Sequence, residues 1–440
     1  MKIKVVALMA SLLNMLPCDG YKPEDWNIAA RKQFADRRFG VFIHWGLYAN
    51  YAQGEWYLQR GGLDEADYSR MMYGFCPSKF DAKEWVRIVK GSGARYITIT
   101  SRHHDGFSLW PTKVDDGYNI ANTPFRRDIL GELAQACRLE GIQLNFYYSL
   151  MDWHRVDYPA GFCTIKVPGP CRKPDYAAYK RFMLAQIGEL IDSYNPGVIW
   201  FDGEWEHARE IDGKFTRTHD WELDSIYDFI HARKTLTANN NHQPIRAKED
   251  IQLFERDLPG ENTGGFSKGQ PISFDRPVEQ CDVIQKNVWG YKIGEKSFRT
   301  APEVVAMVVR AAAKDSNLLM NIGPDGSGQF PARAVSVMRD VGKWFKVNGE
   351  SVYGTRAGGI SQGKSIVSTR KEDVLYLHFL DGQTNSIALT IKGRVASATM
   401  LDGGGAVKIS LMDDGKTHIE VPAEKCGDLF DRVVKIVLSE

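Results

Sequence analysis

A chain of 440 residues is longer than one core usually holds, which favours one large domain and a smaller one. Its 56 Lys and Arg nearly balance 55 Asp and Glu, and a net charge of +1 gives no electrostatic basis for nucleic acid or an anionic membrane as the main partner. With 43% hydrophobic, 25% charged and 11% aromatic residues, the composition argues against a disordered chain, a coiled coil or a disulfide-framework miniprotein.

In chain order, residues 1–20 read as an export signal: Lys2 and Lys4 precede a mostly apolar run from Val5 to Leu16, too short to span a bilayer. Cys18 behind this run raises a lipoprotein anchor as an alternative, although Pro17 stands where lipobox cleavage prefers a small residue. No later apolar run reaches membrane length and no Asn-X-Ser/Thr acceptor occurs, so the expectation is a periplasmic or extracellular protein.

From about residue 38, short apolar runs alternate with helical stretches. Strands are predicted at 40–43, 96–100, 142–148, 198–201, 236–238, 251–254 and 318–320, and helices at 82–90, 128–140, 175–194, 221–233, 302–314 and 331–348. Strands this short and apolar, separated by helices, belong in a parallel sheet covered on both faces. Their span suits a (β/α)8-like TIM barrel with insertions over 21–352. A doubly wound sheet is disfavoured because no Gly-rich phosphate loop follows any strand. Beyond residue 353, the runs 374–379, 386–391 and 433–437 are separated by Asp-Gly and Gly-rich turns, which predicts a C-terminal antiparallel β-sandwich over 353–440. All eleven Trp lie between Trp26 and Trp344, so this Trp-free tail reads as a support for the barrel. Cys163 and Cys171, eight apart in a Pro/Gly-rich stretch, either form a disulfide in an oxidising compartment or stay as two buried thiols.

In a TIM barrel the site is assembled at the C-terminal ends of the strands. Here those ends read His44-Trp45, His103-His104-Asp105, Tyr147-Tyr148-Ser149, Trp200-Phe201-Asp202 and Phe254-Glu255-Arg256. Each alone is an ordinary core or loop residue, but their coincidence is hard to attribute to packing, because buried polar groups are costly without partners. Indoles cover the C–H face of a sugar ring, while imidazole and carboxylate groups bond its hydroxyls. Glycoside hydrolysis needs two carboxyl groups, and Asp202 and Glu255 are the pair that strand order brings across the mouth. A metal-dependent hydrolase built on His44, His103, His104 and Asp202 is a rival, weakened because no His-X-His pair occurs and adjacent strand histidines face opposite ways. A non-catalytic glycan-binding protein is the other.

The runs FGVFIHWGLYA (39–49), GEWY (54–57), ITITSRHHDGFSLW (97–110), FYYSLMDW (146–153), VIWFDGEWE (198–206), NVWGY (287–291), NLLMNIGPDGSG (317–328) and VGKWFKVNGESVYGT (341–355) resemble the α-L-fucosidases of glycoside hydrolase family 29. The resemblance covers most of 25–360 in collinear order. It implies an exo-acting retaining hydrolase of fucosylated oligosaccharides or glycoconjugates, with no metal and no cofactor. By the same matching, Asp202 is the nucleophile and Glu255 the acid/base, with Glu279 as runner-up. His44, Glu55, Trp56, His103, His104 and Tyr148 look like fucose-hydroxyl ligands, Trp200 like the floor, and Trp289 like the aromatic against the C5 methyl. Where many relatives carry Asn-Asp-Arg, this chain has Asn239-Asn240-Asn241-His242, so a contact near the acid/base is supplied differently.

Overall fold

A computed structural model describes residues 21–439 apart from 115–116, 170, 212–213, 241–244, 268, 382–385, 392–393, 404–406, 414–415 and 422–430. The expected export signal, Cys18 and His242 lie outside the described residues. Among the described residues no helix is long and apolar enough to cross a membrane.

Eight parallel strands form one sheet: β1 Phe39–Ile43, β2 Tyr96–Arg102, β3 Gln143–Ser149, β4 Val198–Asp202, β5 Leu236–Asn240, β6 Gln252–Glu255, β7 Val278–Val283 and β8 Ser316–Ile322. Their hydrogen-bonded order is β5-β4-β3-β2-β1-β8-β7-β6, and a parallel bridge from Ala238 to Ile251 joins the two ends, so the sheet closes into a barrel. Alternation within each strand makes two cores. Phe42, Tyr96, Tyr147, Trp200, Leu253, Cys281 and Leu319 fill the interior. Val41, Ile43, Ile97, Ile99, Phe146, Tyr148, Ile199 and Phe201 face outward under the helices. Gly40 sits in register with Tyr96, and a Cβ there would run into the Tyr96 ring, so glycine is what lets that ring lie across the interior.

The expected helices are present at Ala82–Gly91, Ile129–Glu140, Tyr176–Tyr194, Leu223–His231, Ala301–Ala312 and Ala332–Asn348. Asp81, Asp128, Asp175 and Thr300 cap four of them through side-chain oxygens, the last as a full capping box with Glu303. Among the barrel strands and the long helices, two elements escape the sequence pattern. β7 reads VEQCDV, where Glu279 and Asp282 interrupt the apolar run although all six residues are buried. Helix Asp25–Arg37 has no apolar stripe, because it docks partly through polar groups: Asn27 and Arg31 both donate to Asp250 Oδ1, at 2.7 and 2.8 Å.

The tail forms a five-stranded and a three-stranded antiparallel sheet. Leu375, Leu377, Phe379 and Ile436 of the first pack with Ile387, Leu389 and Ile419 of the second in one core, which is a β-sandwich. Buried Arg38 reaches it by donating to the Thr355 carbonyl at 3.2 Å and pairing with Asp315 at 3.1 Å.

Asp250 is the polar hub beneath the barrel. Beyond Asn27 and Arg31 it accepts from His231 Nε2, the Thr237 amide and the Thr237 hydroxyl, at 2.8, 2.7 and 3.1 Å. Burial alone would raise its pKa, but the His231 bond and charge, Arg31 and Asn27 together hold it below the ordinary value of 3.8. Its stabilisation is therefore present above pH 3.8 and is lost as pH falls through the lower folded value. Asp250→Ala leaves Arg31 buried beside no charge and is expected to cost about 3–5 kcal/mol of unfolding free energy in urea at neutral pH. Unchanged stability would refute the hub.

Candidate active site

The mouth of the barrel opens into a cavity of about 540 Å³. Its floor is Trp200 and Phe42, and its walls carry His44, Glu55, Trp56, His103, His104, Tyr147, Asp202, Trp205, Asn240, Glu255 and Trp289. These come from the ends of β1, β3, β4, β5 and β6 and from the loops after β1, β2, β4 and β7.

Asp202 is the last residue of β4. Its Oδ1 accepts from the Gly203 amide (2.8 Å), Trp205 Nε1 (2.8 Å) and Asn240 Nδ2 (3.3 Å), and its Oδ2 accepts from the Tyr147 hydroxyl (2.9 Å). Four donors from three strand ends fix the carboxylate. Gly203 follows at a φ of 95°, a left-handed turn that glycine adopts without strain. Glu255, the last residue of β6, accepts from the same Asn240 Nδ2 at 2.7 Å. One nitrogen thus serves both carboxylates, so the two bonded oxygens lie within about 6 Å of each other.

The histidines are held as neutral rings with defined tautomers. Ser149 Oγ donates its one hydrogen to the Met151 carbonyl at 2.6 Å, so His104 Nδ1 is the donor in its 2.7 Å contact with Ser149 Oγ. Asn321 Nδ2 donates to the Trp289 carbonyl at 2.6 Å, which turns Asn321 Oδ1 toward His44 Nδ1 at 2.7 Å. Burial brings both imidazoles down to a pKa of about 3, so each keeps an unprotonated Nε2 as acceptor. His104 Nε2 stands 3.6 Å from Asp202 Oδ2, and two facing acceptors favour a hydroxyl donor over an anion here. Glu55 Oε2 accepts from the Trp289 and Gly290 amides at 3.1 and 2.7 Å, tying the loop after β1 to the loop after β7. Among the described residues no group of three or more His, Cys, Asp and Glu side chains is placed to hold a metal ion.

Residues 13–350 match the family model for α-L-fucosidase. The chain belongs to the α-L-fucosidase family. It is 27% identical to tissue α-L-fucosidase of Homo sapiens over 427 residues, covering 88% of this chain and 84% of that protein. Among solved structures it is similar to α-L-fucosidase isoenzyme 1 of Paenibacillus thiaminolyticus, with a TM-score of 0.79, 30% identity, and coverage of 94% of this chain and 100% of that one. A family 29 α-L-fucosidase of Bacteroides thetaiotaomicron, trapped as a covalent intermediate in complex with 2-fluoro-fucosyl fluoride using a Glu-to-Gln mutant, superposes with a TM-score of 0.79 at 27% identity, over 95% of this chain and 97% of that one.

In this family member, nine of the side chains singled out from the sequence line one cavity: His44, Glu55, Trp56, His103, His104, Trp200, Asp202, Glu255 and Trp289. Two do not. Tyr148 points outward, and its hydroxyl donates to Gln186 Oε1 of the helix Tyr176–Tyr194 at 2.8 Å, so Tyr147 takes its place in the pocket. Glu279 lies inside the barrel beneath the floor, accepting from Tyr96 Oη at 2.5 Å and Trp200 Nε1 at 3.0 Å. His103 and His104 both face the pocket, contrary to strict alternation. β2 ends at Arg102 after a register irregularity, and the two rings meet at 4.1 Å in the following turn. Cys163 and Cys171 are separate thiols, Cys163 buried in the pocket wall and Cys171 exposed. Asn240 was given no role from the sequence; its register with Asp202 marks it only once strand pairing is known.

The tautomers are testable. In ¹⁵N histidine spectra, His44 and His104 should stay neutral with Nδ1 protonated from pH 8 down to about pH 5, well above their pKa of about 3. Titration of either ring near pH 6.5 would contradict the burial argument.

Proposed function

We propose that the chain is an exo-acting retaining α-L-fucosidase that removes terminal α-L-fucose from glycans through a covalent fucosyl–Asp202 ester. What supports this most directly is the Asn240 amide shared by Asp202 and Glu255, because a separation within about 6 Å suits two carboxyl groups acting on one anomeric carbon from opposite sides. An inverting enzyme needs roughly 6.5–9.5 Å to seat a water between them. The covalent intermediate trapped on the Bacteroides relative supports the same course.

In the first step Asp202 attacks the anomeric carbon while Glu255 gives its proton to the departing glycosidic oxygen. The C1–O bond breaks as the ester bond forms. In the second step Glu255 takes a proton from water, the water oxygen attacks the same carbon, and the ester bond breaks to return Asp202 as a carboxylate. Two inversions retain the configuration. The Nε2 lone pairs of neutral His44 and His104 accept sugar hydroxyls, and Tyr147 holds Asp202 Oδ2 during approach. Trp200 closes the bottom of the cavity, which suits a terminal sugar.

Asp202→Ala is expected to lower kcat/KM on an aryl α-L-fucoside by about 10⁴-fold or more with an unchanged circular dichroism spectrum. Near-normal turnover would remove Asp202 from the nucleophile role, and no hydrolysis by the unaltered chain would favour a binding protein instead. Glu255→Ala should lose about 10²–10⁴-fold on substrates with poor leaving groups, and on an activated aryl α-L-fucoside azide should restore turnover with α-fucosyl azide as product. Azide rescue of Glu279→Ala, and not of Glu255→Ala, would transfer the acid/base role.

A further inference from the structure

The cavity carries its carboxylates and neutral histidines in the depth and its cations at the mouth. Arg60, Lys166 and Arg256 all line it, and they arrive from three loops, after β1, β3 and β6. Arg60 and Lys166 are exposed and Arg256 is half-buried. None of the three forms an ion pair among the described residues. Each cation instead sits against an aromatic ring: Arg60 Cζ lies 5.5 Å from the Trp56 centroid, Lys166 Nζ 5.9 Å from Phe162 and Arg256 Cζ 5.2 Å from Trp289. Those rings belong to the cavity wall.

The lining carboxylates have hydrogen-bond partners of their own, and the Arg60 charge also favours the ionised form of Glu55. Glu55 is engaged by the Trp289 and Gly290 amides, and Asp202 and Glu255 share Asn240. Two of the cations are also held near each other. Gln59 Nε2 donates to the Cys163 carbonyl at 3.3 Å, which fastens the short helix Tyr57–Arg60 to the turn Thr164–Lys166. Burial and the Glu206 charge push the Cys163 thiol up to about 11, and the fields of Lys166 and Arg60 both act on it in the opposite direction, so both cations are within electrostatic reach of one point of the wall. Like charges brought together at a concave surface raise the free energy of the empty site and lower that of a site holding an anion. Cations resting on rings are already oriented and keep their donors for an incoming group.

Resting on the fucosidase reading, we infer that the mouth is a leaving-group subsite for an anionic saccharide, in which the glycan beyond fucose carries a sulfate ester or a carboxylate. The depth takes the uncharged fucose, and Arg60, Lys166 and Arg256 take the charge beyond the scissile bond.

The test separates the two readings. Hydrolysis of a neutral aryl α-L-fucoside by the unaltered chain reports on the fucosidase reading alone. The subsite is read by calorimetric binding to full-length Asp202→Ala of one fucosylated N-acetyllactosamine in three forms: neutral, sulfated and sialylated. At low salt the better anionic form should bind roughly three- to tenfold more tightly than the neutral one. Which anion wins identifies the group. The preference should fall toward one at about 0.5 M NaCl and on adding Arg60→Gln with Lys166→Gln. Equal or weaker binding of both anionic forms overturns the inference, and so does a preference that neither salt nor the double substitution reduces.

Discussion

Period-two alternation in a closed parallel barrel is the constraint on which the rest of this molecule depends. Once the Ala238–Ile251 bridge joins β5 to β6, every strand has one row of side chains inside and one row under the helices. Slipping a strand by one residue would exchange the rows. The pair Tyr147 and Tyr148 displays the rule. Both are fully buried and both are tyrosines, yet one bonds Asp202 and the other bonds Gln186 on the far side of the sheet. The site can gather side chains from five strand ends because those strands share one inward parity at the mouth. Where the rule is suspended, at His103 and His104, the strand has already ended.

The interior row is aromatic, and one carboxylate is embedded in it. Glu279 is 1% exposed, and burial raises its pKa to about 7 against the pull of the Tyr96 and Trp200 bonds. Both oxygens are taken, one by each ring donor, so the group acts as a fastening. It fixes the indole of Trp200, which lies 5.5 Å from Tyr147 at an interplanar angle of 25°, and Tyr147 in turn donates to Asp202. A line of packed and bonded groups thus runs from β7 beneath the floor to the carboxylate at the end of β4. The position of Asp202 is set from below as well as by the donors beside it.

The barrel is legible in the sequence where strands are apolar and helices are amphipathic, because burial then leaves a period to read. Glu279 hides β7, since a carboxylate satisfied inside a barrel looks like a surface charge in one dimension. Asn27, Arg31 and Asp250 hide the first helix in the same way. The site is legible as chemistry at strand ends, which finds Asp202, Glu255 and the histidines. Tyr147 and Asn240 depend on parity and register, which are properties of paired strands. The cysteine spacing marked two thiols near one loop but carries no information about which way each faces.

The wall that bears Glu255 is made of a loop, and its order comes from one side chain. Among the described residues there is no helix between β6 and β7; Asp257 instead accepts from Thr263 N and Oγ1 (2.8 and 2.9 Å), Gly265 N (2.9 Å) and Ser267 N and Oγ (2.9 and 2.5 Å). Burial alone would raise its pKa, but the Ser267 hydroxyl and the Gly265, Thr263 and Ser267 amides outweigh it and hold the group in its charged form. Main-chain donors that a helix would have satisfied are collected on one carboxylate. Glu255 is anchored on two sides: the next amide, Arg256 N, donates to the Cys281 carbonyl of β7 at 2.9 Å, and Phe266 N, between two residues held by Asp257, donates to the Glu255 carbonyl at 3.1 Å. Arg256 takes a φ of 58°, a left-handed conformation that costs a non-glycine residue energy and turns the chain out of the strand, where its guanidinium meets Trp289. The acid/base candidate is therefore held by the barrel on one side and by the loop on the other. Because both anchors of Glu255 are main-chain bonds, exposed side chains of the loop can change their charge without removing what holds the carboxylate in place.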